Sequence, residues 1–293
     1  MQSRNLVYEA LALRSRESPA GDRILCLMTA EAGIQDVFVF GGPKSKLRSL
    51  ASPYTAGRAF VYFDPPRDFR KLSDFEARES FSGLRESLRK LWAAALVAEF
   101  LMKTSGGGGD FPLVLDLALE TLRGLESLPE EKADYPAILF LWRMIALLGL
   151  MPDPGSCASC GAELAEGLPK RHAFAAGGFL CPDCARAEAE RGSFAAEAGG
   201  GYASGGADRD GGLAGGRGGP GRPAREAPDS GIIPISAGAA RWLERAASLP
   251  FAEALGVGLD GPSLAGLKRL AFGLARRAAE APLSTLNSGA GIL

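Results

Sequence analysis

Four of the chain's five cysteines stand in two short pairs, "CASC" at 157–160 and "CPDC" at 181–184, with 20 residues between them. Two Cys-x-x-Cys turns at that spacing are what a two-knuckle metal site requires. Each turn delivers two thiolates to one ion, and four sulfurs close a tetrahedral shell with no position left for a reactive water. The spacing therefore predicts a structural zinc site on Cys157, Cys160, Cys181 and Cys184, with a degenerate metal-free knuckle or a redox pair as the alternatives. His172, the only histidine, lies between the pairs in "PKRHAF" and is an alternative ligand. A lone histidine inside such a loop also argues against Ser-His-Asp or Cys-His catalysis. Cys26 stands alone in an apolar alternation.

Paired cysteines bind metal rather than form disulfides where the compartment is reducing. The opening "MQSRNLVYEALAL" lacks a basic stretch followed by an unbroken apolar one, and no apolar run reaches the roughly 18 residues of a membrane span. The chain is accordingly read as cytoplasmic, with no membrane partner.

Residues 5 to 80 read as five short strands, at Asn5 to Leu13, Arg23 to Thr29, Gly33 to Phe40, Gly57 to Phe63 and Lys71 to Ala77. Turn-rich stretches such as "SRESPAGD" and "DPPRD" separate them. Five strands in so few residues predict a small barrel of the OB type, whose face and loops commonly bind single-stranded nucleic acid. From Ser82 the period becomes helical. In "SGLRESLRKLWAAALVAEFLMK" Leu84, Leu88, Leu91, Ala95 and Leu96 form one stripe and Arg85, Glu86, Arg89 and Lys90 the solvated side. "SGGGGD" reads as a flexible stop, Pro112 opens a second helix, and "YPAILFLWRMIALLGL" is apolar enough all round to be the centre of a bundle. Residues 193 to 231 are so rich in glycine that a disordered linker is predicted, and "GGRGGPGRPAR" within them is similar to RGG tracts that touch nucleic acid. "SAGAARWLERAASLPFAEAL" and "GPSLAGLKRLAFGLARRAAEA" read as two later helices that return to the bundle. The class is α+β: barrel over 1–80, helices over 81–153, knuckle over 154–192, linker over 193–231 and closing helices over 232–293.

A net charge of −1 excludes a uniformly basic nucleic-acid binder, so an anion site must come from clustering. Through residue 105 Lys and Arg outnumber Asp and Glu by four, whereas 110 to 134 is acidic. The cluster to examine is "GGPKSKLRS" at 41–49, with Lys44, Lys46 and Arg48 at alternate positions. It is no nucleotide-binding P-loop, because Pro43 removes an N–H donor and no glycine directly precedes either lysine. Alternating flexible cations suit a row of backbone phosphates, bound without regard to sequence and weakened by salt. Tyr54, Phe60, Tyr62 and Phe63 offer nearby aromatic surface, although most aromatics of a small barrel are expected in its core. A nucleotidyl or phosphoryl transferase would need clustered metal-binding carboxylates, a signature absent here. A zinc-ribbon scaffold that binds another protein is the non-enzyme alternative.

The succession of "TAEAGIQDVFVFGGPKSKLRSLASPY", "LSDFEARESF", a helical segment ending "LLGLMPD" and "CASC…GGFLCPDC" resembles the bacterial RecO family. Thr29, Glu31 and Gly33 match its T-x-E-x-G turn and Gly41 to Lys46 its Gly-x-x-Lys-Ser-Lys loop; "PISAGAARWLERA" and "LSTLNS" fall where the family has similar text. The long glycine stretch departs from that pattern and reads as an insertion. The resemblance implies a recombination mediator and not an enzyme, working in the cytoplasm at the nucleoid. It would bind single- and double-stranded DNA, anneal complementary strands and bind the tail of single-stranded-DNA-binding protein. With RecR it would load RecA. Carried over, the DNA-binding residues are Lys44, Lys46 and Arg48, with Arg14, Arg16 and Arg23 from an adjoining hairpin. The tail pocket would lie in the helical domain, near Arg143 and Leu147.

Overall fold

A computed structural model of the chain describes residues 4–18, 21–41, 46–199, 231–246 and 248–288, the side chains of Arg48 and of 192–199 excepted. The five expected strands are present as β1 (Asn5–Glu17), β2 (Arg23–Thr29), β3 (Gly33–Val39), β4 (Thr55–Asp64) and β5 (Phe69–Ser80). They are joined in the ring order β1-β2-β3-β5-β4, the order of an OB-fold. All neighbours run antiparallel except β3 and β5, which meet at one parallel pair, Phe38 opposite Lys71. Tyr8, Ala10 and Ala12 point inward from β1 to meet Leu25, Leu27, Val37, Val39, Ala59, Val61, Leu72 and Phe75. A short helix α1 (Lys46–Leu50) closes one end, laying Leu47 and Leu50 against that core.

Strand β1 has no solvent face along its middle. Leu11 and Leu13, on the side opposite Ala10 and Ala12, are 0% and 2% exposed and belong with Cys26, Met28 and Ala56 to the apolar cluster of the helices. An irregularity between Ala12 and Arg14 then inserts Leu13 as an extra residue, so that Arg14 pairs with Cys26 and Arg16 with Ile24. The insertion reverses the strand's parity: even positions face inward up to Ala12 and outward from Arg14.

The helical part comprises α2 (Leu88–Lys103), α3 (Phe111–Ser127), α4 (Asp134–Leu147) and, late in the chain, α6 (Ala237–Ala246), α7 (Phe251–Gly256), α8 (Gly261–Ala278) and α9 (Ser284–Ser288). α4 is buried almost continuously from Pro136 to Ile145, as its all-round apolarity predicts. α2 starts later than expected, because the Ser87 hydroxyl accepts the Lys90 N–H and caps the helix there. That shift re-aims the helix. Leu88 is left 60% exposed, the buried stripe is Ala93, Ala94, Leu96, Val97, Phe100 and Leu101, and Arg89 turns inward instead of to solvent. Nor is the glycine run between α2 and α3 a flexible spacer. Ser105 to Gly109 all have positive φ, and a Cβ on Gly107 or Gly108 would meet Met144 or the Leu147 carbonyl within 2.8 Å.

The later helices do return to the bundle: α8 packs on α4, α7 on α3 and α4, and α9 on α2. The helix expected over 236–255 is broken in two, with Pro250 before α7. Glu99 on α2 holds α9 by accepting the Ser284 N–H at 2.8 Å and the Thr285 N–H at 2.9 Å. Between the halves lie β6 (Lys170–Ala173), β7 (Gly178–Leu180), α5 (Pro182–Gly199) and β8 (Ile232–Ile235), the sheet order being β7-β6-β8. β8 was not anticipated because "IIPI" contains Pro234, a residue tolerated only on an edge strand, which is where β8 sits. α5 continues to Gly199, past the expected start of the linker at 193; residues 200–230, with the RGG-like tract, lie outside the described residues. Among the described residues no helix is long and apolar enough to cross a membrane.

One carboxylate ties three helices together. Asp134, 3% exposed, accepts from Arg89 of α2 at 2.8 and 3.2 Å and from Lys268 of α8 at 3.2 Å. Asp134→Ala leaves two half-buried cations facing each other without their counter-charge and lowers stability by about 3–5 kcal/mol. Urea unfolding of the purified chain reads this, and a loss under about 1 kcal/mol would contradict the assignment.

Candidate nucleic-acid surface and metal centre

Of the basic loop, Lys44 lies outside the described residues, as does the side chain of Arg48. Lys46 opens α1 and is exposed, because Leu47 and Leu50 take the face of that helix turned to the barrel. The hairpin arginines divide. Arg23 is half-buried and donates through Nη2 to the Ala51 carbonyl at 3.2 Å, anchoring the segment that follows α1. Arg14 and Arg16 are exposed on the barrel's outside, a consequence of the bulge at Leu13. Arg16 is bonded to Asp36 at 2.9 Å with both side chains half exposed, a pair that neighbouring phosphate can compete for. Arg14, Arg16, Asp36, Ile34, Met102 and Cys26 line a surface recess of about 420 Å³. Burial and then the Asp36 charge push the Cys26 thiol up to about 12, so it stays a neutral thiol.

The aromatic expectation needs correction. Among the four named residues none joins the barrel core, whose aromatic members are Tyr8 and Phe75. Phe60 and Tyr62 alternate with the inward Ala59 and Val61 and so point outward. Arg58 lies 5.5 Å from the Phe60 ring centre and Arg70 4.5 Å from that of Phe63, while Tyr62 accepts from Arg4 at 3.3 Å. Tyr54 packs against the helical cluster. A second group escaped the sequence reading: Phe38, Phe40 and Phe69, with ring centres 5.0 to 6.3 Å apart beside the start of the basic loop. The signal was present in "DVFVF", where the valines go inward and the phenylalanines therefore outward.

Arg143, suggested by the sequence as a tail-binding cation, donates to the Ala246 carbonyl at 3.1 Å and to that of Leu249, and lies against the Phe251 ring. Its guanidinium fastens α4 to the turn between α6 and α7.

The four paired cysteines converge. Their sulfurs lie within 4.8 Å of one another, and the Cys160–Cys181 separation of 3.8 Å matches the edge of a tetrahedron with metal–sulfur bonds of about 2.3 Å. The Cys181 N–H points at the Cys157 sulfur at 3.3 Å and the Cys184 N–H at the Cys181 sulfur at 3.5 Å, the turn geometry that stabilises thiolates. Burial opposes ionisation of Cys157, but the N–H groups of Cys181, Cys160 and Ser159 outweigh it and bring the thiol down to about 6. At Cys184 the Ser159 hydroxyl favours the thiolate, yet sharing with Cys181 and Cys160 prevails and pushes it up to about 12. With the thiols this close, ionising one makes ionising its neighbours harder. The residues fit a tetrahedral metal ion.

His172 is not among these donors. It is fully buried on β6 between the rings of Phe174 and Phe179, 4.8 and 5.3 Å away, with neither ring nitrogen partnered among the described residues. Burial, then the nearby Arg277 charge, lowers it to about 4. Its role is packing.

Two outcomes are expected. Cys157→Ser lowers bound metal below one equivalent and destabilises the knuckle, read by metal analysis alongside thermal melting; a fully loaded variant of unchanged Tm would mean the ligands are wrongly assigned. As pH falls from about 6.5 to about 4 the unfolded chain protonates His172 while the folded one resists, so stability declines. His172→Phe, compared at both pH values, removes roughly 3 kcal/mol of that decline. An identical pH profile for the two chains would refute the buried neutral imidazole.

Comparison with known proteins agrees with this architecture. The family model "Recombination protein O N terminal" matches residues 1–81, the barrel, and "Recombination protein O C terminal" matches 85–199, the first helices and the knuckle. The DNA repair protein RecO of Desulforudis audaxviator is 33% identical over 178 residues, 60% of this chain and 69% of that protein. The RecO of Rubrobacter xylanophilus is 33% identical over 186 residues, covering 63% and 73%. A barrel followed by helices with an inserted four-cysteine knuckle, matched in both parts by one family's models, places this chain in the RecO family.

Proposed function

We propose that this chain is a DNA-binding recombination mediator rather than an enzyme. In this reading it binds single- and double-stranded DNA and anneals complementary strands. With RecR, it helps load RecA onto single strands covered by single-stranded-DNA-binding protein, in the cytoplasm at the nucleoid. The observation that carries the reading is the set of outward cations on an OB barrel: Arg14 and Arg16 turned out by the bulge, and Lys46 exposed at the closing helix. Lys44 and Arg48 extend that set along the chain. Flexible side-chain cations that release counterions from phosphate bind without regard to sequence, which is what annealing of arbitrary strands requires.

Zinc is the ion we assign to the cysteine cluster, since four thiolates in a tetrahedral array select it over hard oxygen-seeking cations. Held by Cys157, Cys160, Cys181 and Cys184, it would supply folding free energy to the knuckle. The knuckle in turn carries β6 and β7, and so positions β8 and the closing helices.

Lys44→Glu combined with Lys46→Glu tests the mediator reading. The double variant should lower affinity for a single-stranded oligonucleotide at least tenfold at low salt and reduce the slope of log K against log salt by about 1–2. Annealing of complementary oligonucleotides, one of them coated with single-strand binding protein, should slow in parallel. Unchanged affinity across the salt series would remove these lysines from the site and leave a protein-binding scaffold as the better account.

A further inference from the structure

The three rings beside the basic loop are unused by the phosphate contacts above. Phe38 on β3 and Phe40, just past its end, alternate with the fully buried Val37 and Val39. Gly41, with φ of 115°, turns the chain immediately after Phe40, and Phe69 opens β5 directly after the turn at Pro65–Asp68. The rings of Phe38 and Phe40 are inclined by only 16°, and that of Phe69 by 32° and 43° to them. Phe40 is 39% exposed, so the group forms an open platform and not a satellite core.

Charge completes the setting. Arg16, Ile24, Phe38 and Lys71 are successive cross-strand partners over β1, β2, β3 and β5, so Phe38 lies in a row with Lys71 beside it and, beyond the buried Ile24, Arg16 paired with Asp36 at 2.9 Å. Arg67 and Arg70 at the β4–β5 turn are engaged by Asp64 and Asp68. Lys71 has no ion pair among the described residues and holds its ammonium 5.5 Å from the Phe40 ring centre. An apolar protein segment gains nothing from such a rim. A strand whose flat bases are flanked by phosphates satisfies rings and cations together.

We infer that Phe38, Phe40 and Phe69 form a base-stacking platform for single-stranded nucleic acid, with Lys71 as its flanking phosphate contact and Arg16 as a second that exchanges Asp36 for phosphate. The inference rests on the DNA-binding reading of the barrel and adds to it a means of discrimination. In a duplex the base faces are already stacked on one another, so the platform acts only on unpaired strands, while the cations of the loop serve both.

The test is titration of the full chain with fluorescent oligo(dT) and with a duplex of equal length, comparing the native chain, Phe40→Ala and Phe40→Trp. Phe40→Ala should weaken oligo(dT) binding roughly tenfold without altering its salt slope, and change duplex binding less than about twofold. Phe40→Trp should bind oligo(dT) at least as well as the native chain. A 2-aminopurine base in the oligonucleotide should lose fluorescence on binding to the native chain and regain it with Phe40→Ala. An equal loss on both nucleic acids, or no loss on either, would overturn the platform while leaving the phosphate contacts standing. A native chain that holds neither would overturn the DNA-binding reading as well. Urea midpoints of the variants, within experimental error of the native value, establish that the comparison is made on folded protein.

Discussion

Everything in this molecule depends on β1 having to bury two faces at once. Its even positions Tyr8, Ala10 and Ala12 fill the barrel while Leu11 and Leu13 enter the helical cluster, so barrel and helices share one strand as a common wall. Burying two leucines in that wall is worth about 3–6 kcal/mol, enough to join two layers that each lack a core of their own on that side. Such a strand cannot also present cations unless its parity changes. The extra residue at Leu13 makes that change and delivers Arg14 and Arg16 to the outside.

The knuckle is joined to the helices by comparably specific means. The Phe174 ring sits where a Cβ on Gly273 of α8 would lie, 2.0 Å from its nearest ring atom, so only glycine admits this approach. Lys170, 3% exposed, donates to the carbonyls of Pro154 and Ala165 and pairs with Glu244 of α6 at 3.5 Å. With His172 wedged between two rings, the small sheet is part of the domain's interior and not an appendage. Metal at the cysteines would thus be felt as far as α6 and α8.

Much was legible along the chain. The four thiolates and their convergence, the five strands and the buried centre at α4 all follow from local spacing, since a tight turn, a period of two or an all-round apolar helix is decided by near neighbours. The misreadings share a cause as well. Leu88 and Arg89 changed sides because a serine cap moved a helix start, and the glycine run proved to be a packed turn because Met28, Met144 and Leu147 lie against three of its four glycines. β8 was missed because a proline in a strand is acceptable only at an edge, and which strand is an edge is unknown until the sheet exists.

By itself, then, the sequence determined the four-cysteine donor set, the strand and helix content and the presence of a basic loop, because each is a property of residues close together in the chain. Only the tertiary structure decided which cations face outward, that Arg143 and Arg23 serve backbone carbonyls, and that Phe38, Phe40 and Phe69 meet across β3 and β5. Those outcomes turn on strand parity, on ring closure and on contacts between distant segments, and the free energy that settles them comes from neighbours that a linear reading does not contain.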